Sequence, residues 1–296
     1  MLSLFVHNLL PVFLTAGAGW LLAALLKTDA RPLAQVGLYV LAPGLILDII
    51  LQNALPPGEL LRMMGFSFAA LALPGLAAFA VARLLRWPRT RVSALVLACL
   101  LTNAGNYGMS VNLLAFSEKA LPQASLFFLA SAIVSYTAGI FVASMGRTGL
   151  RASLVGLLRV PTVWAVALAF SMNALHLRLP APAATSVHLL SQACIPVFLL
   201  VLVMQLRGAR LSGPVRPLAF ATALRLAGGA AAGALLAPLF GLTGVARQAG
   251  ILQSAMPTAV LATILATEYD VEPGFVTSVV LLTTILSPLT LTPLLA

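Results

Sequence analysis

Two stretches of the chain, residues 9–26 and 121–145, contain no charged side chain at all, and they limit the fold more than any other feature. Helices of these lengths reach roughly 27 and 37 Å at 1.5 Å per residue, enough to cross or nearly cross a hydrocarbon core of ~30 Å. No water is available there, so each stretch closes its backbone hydrogen bonds within itself. Strands of a membrane barrel alternate apolar and polar residues, and these stretches do not. Composition agrees. Only 8% of the 296 residues are charged and 61% are hydrophobic, whereas the wetted surface of a soluble domain needs about 25% charge. The expected fold class is an all-α polytopic membrane protein.

Breaks at charges and at Pro/Gly clusters divide the chain into ten spans, near 4–26, 33–54, 62–83, 91–114, 121–145, 155–175, 184–206, 218–240, 244–267 and 273–295. The first is read as a transmembrane helix and not a cleaved signal peptide, because it lacks a positive leading segment and is long enough to span. The net charge of +10 does not point to nucleic acid, since the bases sit in short clusters between apolar runs, such as Arg83, Arg86, Arg89 and Arg91. With both termini outside, twelve Lys and Arg between Lys27 and Arg216 fall on cytoplasmic loops, against Arg62, Lys119, Arg178 and Arg247 outside. That bias marks the orientation of a multi-pass protein in the cytoplasmic membrane. One loop disagrees, with Glu268, Asp270 and Glu272 on the inner side.

The halves 1–148 and 149–296 resemble each other. Pro11-Val12 answers Pro161-Thr162, Pro43 answers Pro196, Asn103-Ala104-Gly105-Asn106 answers Ser254-Ala255-Met256-Pro257, and Leu121-Pro122 answers Glu272-Pro273. Five spans per half put the second repeat into the membrane upside down, the arrangement of alternating-access carriers. The fourth and ninth spans are interrupted at matching depth. Gly105 and Gly108 weaken one helix, Asn103 and Asn106 compete for its backbone, and Pro257 removes a donor from the other. Paired broken helices in an inverted repeat mark a substrate site, and their freed N–H groups suit an anion.

Other residues admit two readings. Asp48 is the acidic residue deep in an apolar run: a proton carrier, a cation ligand or the partner of a buried base, or else simply wet near the outer end, where Gln52 and Asn53 follow. Arg225 either snorkels to the inner surface, the favoured reading from its spacing to Arg216, or faces a cavity. Ser131 and Ser135 share one helix face and either line a path or bond between helices. Gly229 and Gly233, without polar company, are read as packing residues. His7, His176 and His188 do not cluster, and Cys99 and Cys194 have no metal- or redox-type neighbours. No metal, cofactor or catalytic role is expected, and the chain leaves no room for an ATPase domain.

Ala255-Met256-Pro257-Thr258-Ala259, Ala266-Thr267-Glu268-Tyr269-Asp270 and Ser287-Pro288-Leu289-Thr290-Leu291 resemble the auxin efflux carrier family, as do Asn103 followed by Gly108, Tyr136-Thr137, and the Pro43 and Pro196 helices. Ser110 stands where the family often has proline. The resemblance implies a bacterial member of the bile/arsenite/riboflavin-type transporter superfamily. It implies a scaffold of spans 1, 2, 6 and 7, through which homodimers form, and a transport domain of spans 3–5 and 8–10 that moves elevator-fashion. The implied passenger is a small organic anion, auxin-like or a dicarboxylate, held at Asn103, Ala104, Gly105, Met256, Pro257, Thr258 and Ser131. Gly108, Pro43 and Pro196 would be crossover or hinge positions, and Asp48 the candidate for a coupling H+ or Na+. The alternatives are a sodium/proton antiporter or sodium-coupled symporter on a related fold, and a non-transporting membrane sensor.

Overall fold

Peptide groups in an apolar run have only each other to bond with, and the chain is accordingly built from helices. The computed structural model describes residues 6, 9–52, 56–144, 161–207 and 209–295. The order is α1 Leu10–Leu26, α2 Ala30–Gln52, α3 Pro57–Leu84, α4 Arg89–Leu100, α5 Ser110–Phe116, α6 Glu118–Ala143, α7 Pro161–Ala174, α8 Ala181–Leu206, α9 Val215–Leu239, α10 Gly244–Ser254, α11 Val260–Glu268 and α12 Pro273–Leu294. Among the described residues six helices (α2, α3, α6, α8, α9 and α12) are long and apolar enough to cross a membrane, and α1 is a shorter apolar helix. Proline stands in the first turn of α1, α3, α8 and α12, where its missing N–H has no intrahelical acceptor to lose.

The fourth and ninth spans are not continuous helices. Each is cut in mid-course, into α4 and α5 and into α10 and α11. α5 is preceded by a π-helical stretch, Ala104–Met109, and further π-helical stretches lie at Gly37–Leu41 in α2, Ser135–Gly139 in α6 and Leu224–Gly228 in α9. The repeat boundary at 148/149, the basic residues Arg147, Arg151 and Arg159, and His7 lie outside the described residues.

Two groups of helices pack side by side. α8 lies along α1 and α2, and α7 along α2. Gly44 of α2 brings α8 close, since a Cβ there would sit 2.9 Å from Leu190 Cβ. In the second group α3 packs on α4, α6 and α9, α9 on α10, and α11 on α12. α4 is surrounded, with Ala94, Leu95, Leu97, Ala98 and Cys99 all fully buried. That is where a helix apolar on every side must go.

Glu272 takes both its carboxylate oxygens to within 3.1 Å of Arg91 Nε. Arg207 Nη1 donates to the Ala23 carbonyl at the end of α1. Glu272 of the discordant acidic loop is thus held against Arg91, a base counted on the same side, and offsets it.

Candidate functional site

Where α4 and α10 stop, the backbone has to find partners other than water. The chain is extended at Leu101 and again at Ala259, and the two short extended pieces run antiparallel, with Thr102 paired to Thr258. Asn103 N–H donates to the Pro257 carbonyl and Ala259 N–H to the Leu101 carbonyl, each at 2.8 Å. Pro257 supplies only an acceptor in this pairing, so its missing donor costs nothing there.

A helix C-terminus leaves carbonyls without partners. Here each broken helix caps the other. Thr258 Oγ1 donates to Ala98 O of α4 at 2.7 Å, and Thr102 Oγ1 donates to Gln253 O of α10 at 3.4 Å. The next carbonyl on each helix goes to one side chain: Arg225 donates through Nη1 to Cys99 O at 2.6 Å and through Nη2 to Ser254 O. Thr258 N–H is taken by Thr283 Oγ1 at 3.1 Å, and Ser131 Oγ donates to Thr102 O at 3.4 Å. Gln253 Nε2 spans to the carbonyls of Ala104 and Ala124, both at 3.2 Å.

Beside this pairing lies a cavity of about 670 Å³, walled by α2, α6, α8 and α11. Its deep end is formed by Thr102, Asn103, Gly105, Phe128 and Ser131, and its rim includes the exposed Arg31, Gln35, Thr267 and Glu268. The mouth is on the face that carries the basic loops. Asn103 is only 6% exposed, and its Nδ2 has no acceptor among the described residues. Thr162 Oγ1 and Gln205 Oε1, in the same lining, are also buried without partners. A buried amide or hydroxyl without a hydrogen bond costs about 1–3 kcal/mol. Three residues of one cavity lining each keep a buried polar atom without a partner among the described residues.

Of the residues expected at a passenger site, Asn103, Gly105 and Ser131 line the cavity. Ala104, Met256, Pro257 and Thr258 are buried behind its wall. Met256 packs with Leu9, Val12, Tyr107 and Leu252, while Ala259 and Val260 take the lining positions on that side. Ser135 lines the cavity too and donates to Ser131 O at 2.7 Å, so the serine pair both faces the void and bonds along its own helix. Gly108 lies against the Gln253 carboxamide, with no room for a Cβ. Pro43 and Pro196 are within α2 and α8, which run on past them. α2 widens to a π turn at Gly37–Leu41 just ahead of Pro43, which relieves the clash of the ring with the preceding turn.

Asp48 is not at this cavity. It lines a second one, of about 800 Å³, at the other end of α2 with His176, Arg178 and His188. Its Oδ2 is 3.0 Å from His188 Nδ1, and its Oδ1 accepts from Gln52 Nε2 at 2.6 Å. The partner that the sequence left open is thus His188. Two histidines read as unrelated, His176 and His188, border the same void.

Arg225 is a correction. It does not snorkel; it is fully buried, and bonded to the ends of both broken helices. The physical reason is reach. Nine residues from Arg216 is roughly 14 Å along a helix, beyond the length of the side chain, and two unpaired carbonyl ends lie closer. That distance, together with the breaks in the neighbouring spans, was the available signal. Gln253, which ties the two segments through the carbonyls of Ala104 and Ala124, carried no signal of its own in the sequence. Gly229 and Gly233 do pack, both against Ser254 of α10.

Residues 143–295, more than half of the chain, match the family described as membrane transport protein. No curated protein matches the chain.

Proposed function

We infer the function from one premise: the chain belongs to the membrane transport protein family, that of the auxin efflux carriers, and is a membrane transporter and not an enzyme. Its passenger is a small organic anion bearing a carboxylate, moved by secondary transport. The observation that carries this reading is the Asn103 amide, a buried group of the cavity lining whose N–H has no acceptor among the described residues. A carboxylate oxygen is an acceptor of the missing kind. Around it, the helical run 104–116 and α11 both begin at the cavity, and helix N-termini favour negative charge. Glu268, the one acid among the described lining residues, sits at the exposed rim, so nothing at the deep end repels an anion.

Alternating access follows from two inverted five-helix repeats, 1–148 and 149–296, related across the Thr102–Thr258 pairing. The reciprocal caps from Thr102 and Thr258 support that relation. In this reading α1, α2, α7 and α8 are the scaffold and dimer surface. The remaining helices carry the passenger past it, elevator-fashion, in a cytoplasmic membrane with both termini outside. The cavity lies between the two groups, since α2 and α8 form one wall and α6 and α11 the other. Coupling to H+ or Na+ at Asp48 has less support, because that carboxylate is engaged by His188 and Gln52 in the other cavity.

The test is uptake of labelled malonate and indole-3-acetate into proteoliposomes by the wild type and by Asn103→Ala. A drop of tenfold or more for whichever solute is carried is expected. Equal flux in the two proteins would remove Asn103 from the site.

A further inference from the structure

Arg225 is a cation in the middle of a membrane-spanning helix, fully buried, and the ion pairs among the described residues do not include it. A buried charge needs compensation, because the desolvation it suffers is otherwise unreturned. Here the compensation comes from backbone. The guanidinium bonds Cys99 O at the end of α4 and Ser254 O at the end of α10, helices of 12 and 11 residues. The C-terminus of a helix carries roughly −0.5 of an elementary charge. Two such ends amount to about −1, and one guanidinium of +1 offsets them.

The other two ends at the crossing are N-terminal. The run 104–116 and α11 start beside the cavity, each with roughly +0.5 of a charge. Were Arg225 absent, four ends meeting at one place would cancel to about zero. With it, the two negative poles are silenced and about one positive charge is left facing Asn103.

We propose that Arg225 is a positioning residue for transport: by neutralising the two C-terminal poles on the far side of the crossing, it leaves the N-terminal poles to present a single net positive charge to the passenger. It is not among the residues that line the cavity and acts through the broken helices. Gly229, one turn along α9, fits this role. A Cβ there would collide with both Arg225 Nη2 and Ser254 O, so the glycine leaves room for that bond. The inference rests on the anion reading given above and adds to it the source of the site's charge.

Wild-type protein, Arg225→Lys, Arg225→Gln and Gly229→Ala, each purified and monodisperse in detergent, are compared for binding of acid and amide pairs. The probes are malonate with malonamide, benzoate with benzamide, and indole-3-acetate with indole-3-acetamide, and the tightest pair for the wild type is followed. The readout is the ratio of carboxylate to amide affinity, which a merely structural defect would leave alone because both ligands would weaken together. Arg225→Gln should lower the ratio at least tenfold, and Arg225→Lys should keep it within about threefold. Should Arg225→Gln not fold, Gly229→Ala carries the test. It keeps the cation but wedges it from Ser254 O, and the ratio should fall threefold or more. An unchanged ratio in the variant that folds, with a wild type that prefers the acid, overturns the role of Arg225 and leaves the anion reading intact. A wild-type ratio near one, or no binding of any acid, overturns the anion reading and this inference with it.

Discussion

Asp48 and Arg225 both lie within apolar runs, and the protein has set them on opposite kinds of ground. Asp48 is one turn from the end of α2, its side chain 12% exposed and held by Gln52 and by His188, itself half exposed. Arg225 is ten residues into α9, fully buried, with two helix ends as its counter-charge. About 6 Å of helix separates the first from the end of its run and about 15 Å the second. The comparison teaches that the cost of a charge in a membrane protein is set by what compensates it. An acid near water and an arginine between two carbonyl termini are both tolerable, but only the second is tied to the broken helices.

That contrast can be pressed by mutation. The largest effect is expected from Arg225→Leu, which orphans the Cys99 and Ser254 carbonyls. At about 1–3 kcal/mol for each buried unsatisfied group, the loss is about 2–6 kcal/mol, to be read from thermal unfolding in detergent. A melting temperature equal to wild type would mean that the crossing does not need its cation. Gly108→Ala follows, because its Cβ displaces Gln253 from the carbonyls of Ala104 and Ala124. A destabilisation of about 1–3 kcal/mol is expected in the same assay. Asn103→Ala should leave stability close to wild type, since its amide nitrogen has no partner among the described residues to lose. Its tenfold loss of uptake corresponds to about 1.4 kcal/mol, so a matching fall in melting temperature would make Asn103 a structural residue instead. Asp48→Asn should do least. A partly exposed pair contributes under about 1 kcal/mol, and uptake should persist; abolished uptake would break the comparison and return the ion-coupled reading.

Much of the fold was legible because lipid simplifies the problem. Length without charge is enough to place a helix, and Pro11 and Pro273 fall in the first turns of their helices, where a missing N–H costs nothing. The interruptions at Asn103 and Pro257 could be read for a similar reason, since glycine, asparagine and proline weaken a helix locally, whatever surrounds it. The partners of the broken ends were not legible. Offsets in the sequence set Asn103 against Ser254, whereas the backbone pairs Asn103 with Pro257 and Thr102 with Thr258. The non-helical break after α10, 255–259, is longer than that after α4, 101–103, where the π-helical stretch takes over, and a similarity of residue types does not encode that difference. Met256 and Thr258 show the same limit: a segment can be located without knowing which of its side chains turn to the cavity and which to the core.

By itself the sequence determined that the chain is helical, lies in a membrane, and is broken in two of its spans. Those properties depend on the solvent and on local backbone chemistry, and both are written residue by residue. Tertiary structure alone decided that Arg225 joins the two breaks, that Asn103 keeps a free donor at the bottom of a cavity, and that Asp48 belongs to a different one. Each of these depends on which helix ends meet across more than a hundred residues, and a carbonyl or guanidinium has no preferred partner until packing brings one within reach.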